Sequence, residues 1–451
     1  MYAVVRSPAR VALSPLAWLL AGIDFAIRRP SALVAGTLLL TCLPSGISDV
    51  ADSGHVTPAD LGAGLVVAAV AVRMLTGTER SAVRRGWLPF AAVLTALALA
   101  TVTASDVSAS IIGFARYAEL FVLVPVAVAM SLRDRLDLAL IGGGIAVVTV
   151  AEGVVGIYQA LTGTGATYGG SYTRAVGTFG PDQVLALGAL IGYGLVVTLA
   201  LGFAVRGKLR IALLAASAFL LIPLGLTLSR GAWIATAVSV LILLTLASWR
   251  VALVLGGAAV LVAAIVVLGA SSSGTGAVDQ RVASIASVGS APDQSVRDRY
   301  ALWHTAIAIF KDHPVVGVGL KDFAEYRDSY ASVELSAGSD VGDKATGISR
   351  EPLLSAHNQY LMVLSEQGTV GILAFGGLLA ALTVGALRRR DVRLPSPGQR
   401  FLDLAGPAVM VWTLVDFAYG DIGAGPTSVL LAVVLGLAVR RTLIVPQAVS
   451  R

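Results

Sequence analysis

Two arginines and one histidine lie beside apolar segments, where they are placed to bind an anion and to move a proton. Arg174 precedes an apolar run, and Arg230 lies between two apolar runs with almost no loop. A guanidinium group matches phosphate oxygens in a bidentate way, so two of them suit a diphosphate. The NH groups that begin the helix after Arg230 would add to such a site. Alternatively, Arg230 pairs with a carboxylate or with backbone carbonyls inside the bundle.

His357 begins the stretch His-Asn-Gln-Tyr-Leu and shares its predicted helical face with Leu361 and Leu364. Imidazole titrates near neutral pH, so a general base is one interpretation of this residue. Packing or hydrogen bonding is the other. The remaining histidines are interpreted more simply: His55 and His304 as solvent-exposed, and His313 as capping the end of a helix.

Several acids lie within apolar segments. Glu119 follows Arg116 by three residues, so these two side chains are expected to pair on one helix. Glu152 and Asp416 either partner the arginines or take part in chemistry. The sequence has no Asp-x-Asp pair, no zinc-type Cys/His cluster and no phosphate-binding P-loop. If the protein is an enzyme, the predicted reaction therefore needs neither a metal nor a nucleotide.

The segments that carry these residues belong to a membrane protein. Of 451 residues, 56% are hydrophobic and 13% charged, with a mean hydropathy of +0.82. Soluble proteins have about 45–50% apolar and about 25% charged residues. The composition excludes an ordinary cytosolic enzyme and a disordered chain. Cys42 is the single cysteine, so no intrachain disulfide forms.

Apolar runs long enough to cross a bilayer recur along the chain and predict an all-α integral membrane protein. About twelve spans are expected. They are 31–47, 60–75, 87–104, 111–130, 137–161, 183–205, 210–228, 231–248, 250–269, 369–387, 401–420 and 426–444. Segment 11–27 contains Pro15 and Asp24 and is interpreted as a helix at the cytoplasmic interface.

Basic residues predict the orientation, because short cytoplasmic connections collect Lys and Arg. They recur in every second connection, which places both termini in the cytoplasm. Apart from the long loop 270–368, the exceptions on the predicted outer side are Arg116, Arg174 and Arg230. The net charge of +6 is thus a topology signal, not evidence for nucleic acid. The predicted organisation is a cytoplasmic or interfacial segment 1–30, helices 1–9 over 31–269, an extracytoplasmic loop 270–368, helices 10–12 over 369–444 and a cytoplasmic tail 445–451.

The large loop is partly helical. Apolar residues at helical spacing predict a helix whose stripe packs on the outer ends of the bundle. The stripe consists of Val296, Tyr300, Trp303, Ile307 and Phe310. No internal repeat is evident, which weakens a transporter interpretation based on inverted repeats.

Four stretches, in this order, resemble the O-antigen ligase and polymerase family of membrane glycosyltransferases. The first two are Arg174-Ala-Val-Gly-Thr-Phe179 and Ser229-Arg-Gly-Ala232. The third runs from Arg299-Tyr-Ala-Leu-Trp303 through Asp312-His-Pro-Val-Val-Gly-Val-Gly-Leu320. The fourth runs from His357-Asn-Gln-Tyr-Leu361 through Glu366-Gln-Gly-Thr-Val-Gly371. Together they span about 170–375, half of the chain.

The resemblance implies a GT-C-like architecture in the bacterial cytoplasmic membrane and a transfer at its outer face. A glycan would move from a polyprenyl (undecaprenyl) diphosphate carrier to a hydroxyl of a glycan, glycolipid or other acceptor, inverting the anomeric centre and without a cofactor. Arg174 and Arg230 would hold the diphosphate, and His357 would act as general base. Further candidates are Arg116 for donor binding, and Tyr360, Glu119 and Asp416 in supporting roles.

Other activities stay open at this point. A polysaccharide polymerase would join carrier-linked repeat units, and a protein-glycosylating enzyme would use a protein acceptor. A transporter of lipid-linked glycans belongs to a different class and would bind the same lipid but survive the loss of His357.

Overall fold

The protein is a bundle of apolar helices with a small sheet. The computed structural model describes residues 22, 24–43, 56–76, 86–168, 172–180, 183, 185–254, 294–332, 335, 339–343, 347–351, 353–388, 396–422 and 427–442. Its helices are α1 Pro30–Leu40, α2 Pro58–Leu75, α3 Leu88–Val102, α4 Val107–Ser131, α5 Arg135–Thr162, α6 Ala186–Ala204, α7 Lys208–Leu226, α8 Arg230–Ala247, α9 Gln294–Asp312, α10 Phe323–Tyr330, α11 Gln359–Leu387, α12 Pro397–Asp416 and α13 Thr427–Thr442.

Seven of the described helices are long and apolar enough to cross a membrane: α2, α4, α5, α6, α7, α8 and α11. Helices α1 and α3 are shorter but also apolar. The prediction of a helical, multi-pass membrane protein is confirmed. The number twelve stays a prediction. Helices α12 and α13 occupy the last two predicted spans, whereas 250–269 lies outside the described residues from 255 onward. The interfacial segment 11–27 lies largely outside them as well.

The centre of the bundle is α6, which packs against α5, α7, α8 and α12. Its glycines allow this close packing. A Cβ atom at Gly192 would lie 2.5 Å from the Trp412 indole nitrogen, and one at Gly194 would lie 1.9 Å from the Thr149 hydroxyl. The Trp412 indole N–H in turn donates to the Thr236 hydroxyl at 3.0 Å. Small residues thus bring α5, α8 and α12 onto one central helix, as is common for membrane helices.

Several arginines that are predicted to be cytoplasmic lie near the ends of helices. There they contact residues of a neighbouring connection or helix end. Arg29 forms ion pairs with Asp134 and Asp137 at 3.0 and 3.1 Å, and Arg73 donates to the Arg28 carbonyl at 3.3 Å. Elsewhere in the bundle the same pattern recurs: Arg400 donates to the Phe203 carbonyl and Arg441 to the Arg388 carbonyl. These contacts bring connections that are rich in basic residues together, and the side of the membrane on which they lie stays a prediction.

Helix α9 is present where the sequence predicts a helix, but the predicted packing face is wrong. Its buried residues are Leu302, Ala306 and Ile309. Tyr300 and Ile307 of the predicted stripe are instead 42% and 36% exposed. The buried side forms a second, small core with α10 and the start of α11. A small side chain such as that of Ala306 can be buried between closely packed helices. The hydrophobicity of the sequence alone does not identify such a residue as part of the buried face.

The structure contains a four-stranded antiparallel sheet that the sequence does not predict. The strands are β1 Ala166–Tyr168, β2 Tyr172–Arg174, β3 Ser339–Asp343 and β4 Gly347–Glu351, in the order β2-β1-β3-β4. Strands β1 and β3 pair at Thr167 and Gly342. The sheet therefore joins the large loop to the hairpin that ends at Arg174.

Helix α11 is broken at Gly368, where the sequence predicts the loop to end and a span to begin. Gly368 has φ +61° and ψ −158°, a region that only glycine adopts readily. The chain after α9 runs alongside the break. Backbone N–H groups of Thr369 and Val370 donate to the carbonyls of Pro314 and Val315 at 2.9 and 3.1 Å. Two of the stretches that carry the family resemblance therefore pair with each other through their backbones.

Candidate active site

Arg174 lies at the end of β2 and is buried, with 9% of its surface exposed. Its Nε donates to the Thr227 carbonyl at 3.0 Å. The next residue, Ala175, donates its backbone N–H to the Leu226 carbonyl at 3.1 Å. The end of β2 is therefore attached to the turn between α7 and α8, which directly precedes Arg230.

Arg230 is the first residue of α8. The Ser229 side chain caps this helix by accepting from the Ala232 N–H at 3.5 Å, and Leu228 before it has a positive φ of 51°. A Cβ atom at Gly231 would lie 3.3 Å from the Cβ of Tyr419, so the start of α8 contacts the segment after α12.

His357 has a left-handed backbone conformation, with φ 45°, just before α11. Its Nδ1 lies 3.9 Å from Asp421 Oδ2 and 3.5 Å from the Ser355 hydroxyl. The side chains of His357 and Asp421 are 29% and 15% exposed. A left-handed conformation is uncommon for histidine and persists where the surroundings impose it. The backbone at His357 is thus held in place, and its imidazole remains accessible.

The residues after His357 impose this geometry. Asn358 donates to the Ala418 carbonyl at 3.1 Å and accepts from the Leu361 N–H, which caps α11. The Gln359 side chain accepts from the Ile422 N–H at 3.1 Å and donates to the Tyr117 hydroxyl at 2.7 Å. This stretch therefore fastens residues 417–422, which include Asp421, to the start of α11.

Tyr360, a predicted supporting residue, donates from its hydroxyl to the Leu414 carbonyl at 2.8 Å. Asp416, another such candidate, ends α12, and its backbone carbonyl accepts from the N–H groups of Tyr419 and Gly420 at 2.8 Å. Both residues therefore shape the turn that leads to Asp421.

Three charged residues act on His357. The pKa of His357 is lowered from the ordinary value, chiefly because the protein shields most of the ring from water, and Arg299 lowers it further. Asp421 and Asp298 act in the opposite direction and raise it. Arg299 also donates to the Tyr419 carbonyl, which brings α9 onto the same turn. Residue type and spacing in the sequence indicate no role for Asp421, Asp298 or Arg299. The available signal for Asp421 was an acid directly beyond a predicted span on the predicted outer side.

Arg116 has partners of its own. It forms ion pairs with Asp60 and with Glu119, the latter at 3.1 Å, and donates to the Ser428 hydroxyl. The expected pairing of Arg116 with Glu119 is therefore present. The structure places this cluster among α2, α4 and α13. A described contact to the His357 region runs through the neighbouring residue Tyr117, whose hydroxyl accepts from the Gln359 side chain.

Glu152 contacts the segment after Arg174. Its carboxylate accepts from the Thr178 N–H at 2.9 Å and lies 2.7 Å from the Thr178 hydroxyl. Among the described contacts, Glu152 therefore holds the segment that follows Arg174, and both alternatives for this acid stay predictions.

The other histidines agree with their simple interpretations where they are described. His304 is exposed on α9. His313 follows the last residue of α9, donates its N–H to the Ile309 carbonyl at 3.0 Å and packs edge-on against Tyr326. His55 lies outside the described residues. Among the residues that the structure describes, no three His, Cys, Asp or Glu side chains group as a metal site.

These contacts connect Arg174, Arg230, His357 and Asp421 in a continuous series. Arg174 contacts the turn before Arg230, the start of α8 contacts Tyr419, and residues 417–422 contact the segment at His357. The residues that carry two guanidinium groups, an imidazole and a carboxylate therefore lie along one end of the bundle. Such a group can hold a bound anion and accept a proton beside it.

Comparison with known families identifies part of the chain. The family model described as O-antigen ligase matches residues 211–376. This region is less than half of the chain and includes Arg230, Arg299 and His357, whereas Arg174 and Asp421 lie outside it. No curated protein matches the sequence. Together with the apolar helices, the match indicates a multi-pass bacterial membrane protein.

Proposed function

The match over residues 211–376 supports assignment to the O-antigen ligase family, and on that premise we propose that this chain is a membrane glycosyltransferase. It transfers a glycan from a polyprenyl diphosphate carrier to an acceptor hydroxyl at the outer face of the cytoplasmic membrane. The observation that supports this proposal is the series of contacts that joins two arginines to a histidine–aspartate pair at one end of the bundle.

The two arginines bind the diphosphate. The leaving group gains negative charge as the bond from the anomeric carbon to its oxygen breaks, and that charge is what Arg174 and Arg230 stabilise. In a site with little water, one such donor contributes about 3–4 kcal/mol to the transition state.

His357 accepts the proton of the acceptor hydroxyl. The hydroxyl oxygen forms the new bond to the anomeric carbon, the diphosphate leaves with the electron pair of the broken bond, and the proton moves to the imidazole. Nδ1 is on the side of Asp421 and Ser355, so Nε2 is the nitrogen that receives it. A lowered pKa favours this role because a general base must be unprotonated beforehand. Direct attack inverts the anomeric configuration.

The same groups would serve a polymerase, in which the acceptor is a second carrier-linked unit. The number of transfers to one acceptor separates the two reactions. A transporter would need the arginines but not the histidine.

The test is reconstitution of the full chain in nanodiscs with a polyprenyl-diphosphate-linked oligosaccharide and a crude envelope extract as acceptor, with and without EDTA. Release of polyprenyl diphosphate and the size of the glycan product are measured. We expect release in both conditions, with a single product size for a ligase and a ladder for a polymerase.

Substitutions connect the activity to the site. Arg174→Ala and Arg230→Ala are expected to lower kcat/KM by about 10²–10³, and His357→Ala by about 10²–10⁴. His304→Ala, an exposed histidine on α9, and Arg210→Ala, an exposed arginine on α7, are the matched controls. Bound lipid with no carrier release, unaffected by His357→Ala, would instead favour transport.

A further inference from the structure

Residues 174–178, here termed the strap, connect α5 to the turn that precedes Arg230. The strap begins with Arg174 at the end of β2 and ends in the short 3-10 turn Gly177–Phe179. Both of its ends are fixed by hydrogen bonds to other elements.

Gln159 of α5 holds the middle of the strap. Its side-chain oxygen accepts from the backbone N–H groups of Val176 and Gly177 at 3.0 and 2.8 Å, and its side-chain nitrogen donates to the Gly177 carbonyl at 2.7 Å. One side chain thus forms hydrogen bonds with three backbone groups of residues 176 and 177, which follow the paired residues of β2.

Glu152, two turns earlier on α5, holds the end of the strap through Thr178. The fit is tight, because Gly177 has φ +67° and a Cβ atom there would lie 2.4 Å from Glu152 Oε2. Glu152 is 1% exposed. The two α5 side chains therefore fix both the position and the conformation of the strap.

The start of the strap is bound to the turn at 226–229. Ala175 donates its N–H to the Leu226 carbonyl at 3.1 Å, and Arg174 donates to the Thr227 carbonyl at 3.0 Å. Arg230 follows this turn directly. These two bonds hold Arg174 against the turn before Arg230 only while the strap keeps its position. A strap displaced from that position would break them and move Arg174 relative to Arg230.

We propose that Gln159 and Glu152 are positioning residues that set the separation of the Arg174 and Arg230 guanidinium groups, and thereby select a diphosphate over a monophosphate. The inference rests on the proposed function, since it assumes that these arginines bind the carrier's phosphates. Two guanidinium groups at a fixed separation can each bind one phosphate of a diphosphate, whereas a monophosphate engages one of them fully.

The experiment measures binding of undecaprenyl diphosphate and undecaprenyl monophosphate to the full chain in nanodiscs. Gln159→Leu leaves three backbone groups without their partner, and we expect about tenfold weaker binding of the diphosphate. Binding of the monophosphate should change by less than about twofold. Thr178→Val removes one hydroxyl and keeps the backbone, and we expect a smaller change in the same direction. Tyr158→Phe, on the exposed side of α5, is the matched control.

A double-mutant cycle separates positioning from a general structural defect. If Gln159 acts through Arg174, Gln159→Leu adds little to the loss already caused by Arg174→Ala. Additive losses, or equal weakening of both lipids by Gln159→Leu, would overturn the inference and leave the proposed function standing. If Arg174→Ala and Arg230→Ala themselves leave diphosphate binding unchanged, the proposed function fails, and the inference fails with it.

Discussion

At the scale of single residues, charges of opposite sign act on one imidazole ring. Asp421 and Asp298 favour protonated His357, whereas Arg299 and the removal of water favour the neutral ring. The net effect lowers the pKa of His357. In the proposed mechanism such a ring accepts a proton at neutral pH, and Asp421 and Asp298 limit how far its pKa is lowered.

Substitution of these neighbours should move the acid limb of the pH profile in opposite directions. Asp421→Asn removes a charge that raises the pKa of His357, so the limb of kcat/KM shifts to lower pH. Arg299→Gln removes a charge that lowers this pKa, so the limb shifts to higher pH. Profiles of carrier release between pH 5 and pH 8 measure both shifts.

Glu325→Gln, an exposed acid on α10, serves as the control for these profiles. Shifts in the same direction for Asp421→Asn and Arg299→Gln would contradict His357 as the titrating base. A fall in kcat without any shift would indicate that Asp421 orients the ring and has little effect on its charge.

Arg116 illustrates how a residue type alone can suggest two roles. Its predicted role in donor binding competes with its observed ion pairs to Asp60 and Glu119. We expect Arg116→Gln to leave two acids without their cation and to lower stability on the order of 3 kcal/mol. The Michaelis constant for the donor should stay within about twofold of wild type.

Thermal unfolding in detergent, monitored by size-exclusion chromatography, measures the loss of stability in Arg116→Gln. The double variant Arg116→Gln/Glu119→Gln removes one acid as well and should recover part of the stability. A raised Michaelis constant at unchanged melting temperature would return Arg116 to the donor site.

At the scale of elements, α11 begins within the predicted loop and is broken at Gly368, where the predicted span begins. The backbone at 314–319 supplies partners to both sides of Gly368: Val318 and Gly319 donate to the carbonyls of Ser365 and Glu366, at 3.1 and 3.0 Å. The start of α11 and the chain after α9 are therefore one unit, which orients the segment that begins at His357.

Gly368→Ala should destabilise this unit strongly. The new Cβ would lie 2.4 Å from the Val315 carbonyl oxygen, and φ +61° with ψ −158° strains any other residue by about 1–3 kcal/mol. Gly376→Ala on the same helix is the matched control, because its Cβ would meet nothing within 4 Å. Melting temperatures compare the two, and an equal effect would contradict the structural role of the break.

The sequence predicts helices well where an apolar run is long, and the break at Gly368 coincides with a predicted boundary. The sequence predicts less well which face of a helix is buried. On α9 the aromatic residues indicate one face, but Leu302 and Ala306 are the buried ones. The sheet had no signal of its own, because Ser339–Asp343 is polar and lacks the alternation typical of a half-buried strand. Asp421 meets His357 only through tertiary structure.

At the scale of the whole molecule, the predicted sides of the membrane can be tested directly. In a Cys42→Ser background, Ser332→Cys and Lys208→Cys introduce single thiols at exposed positions on predicted opposite sides. We expect a membrane-impermeant maleimide to label Ser332→Cys in spheroplasts, and Lys208→Cys only after lysis. The reverse pattern would contradict the orientation and the outer location of the site.

The turn at 417–422 also determines when the site can form. A nascent chain that has reached residue 376 contains the whole family-matched region, including Arg230 and His357. It still lacks the residues that hold Asn358 and Gln359, and it lacks Asp421. The contacts around His357 therefore form only after residues 417–422 have been synthesised. A ribosome that stalls before α12 would yield a chain that contains the complete family-matched region but in which Asn358, Gln359 and His357 lack these partners.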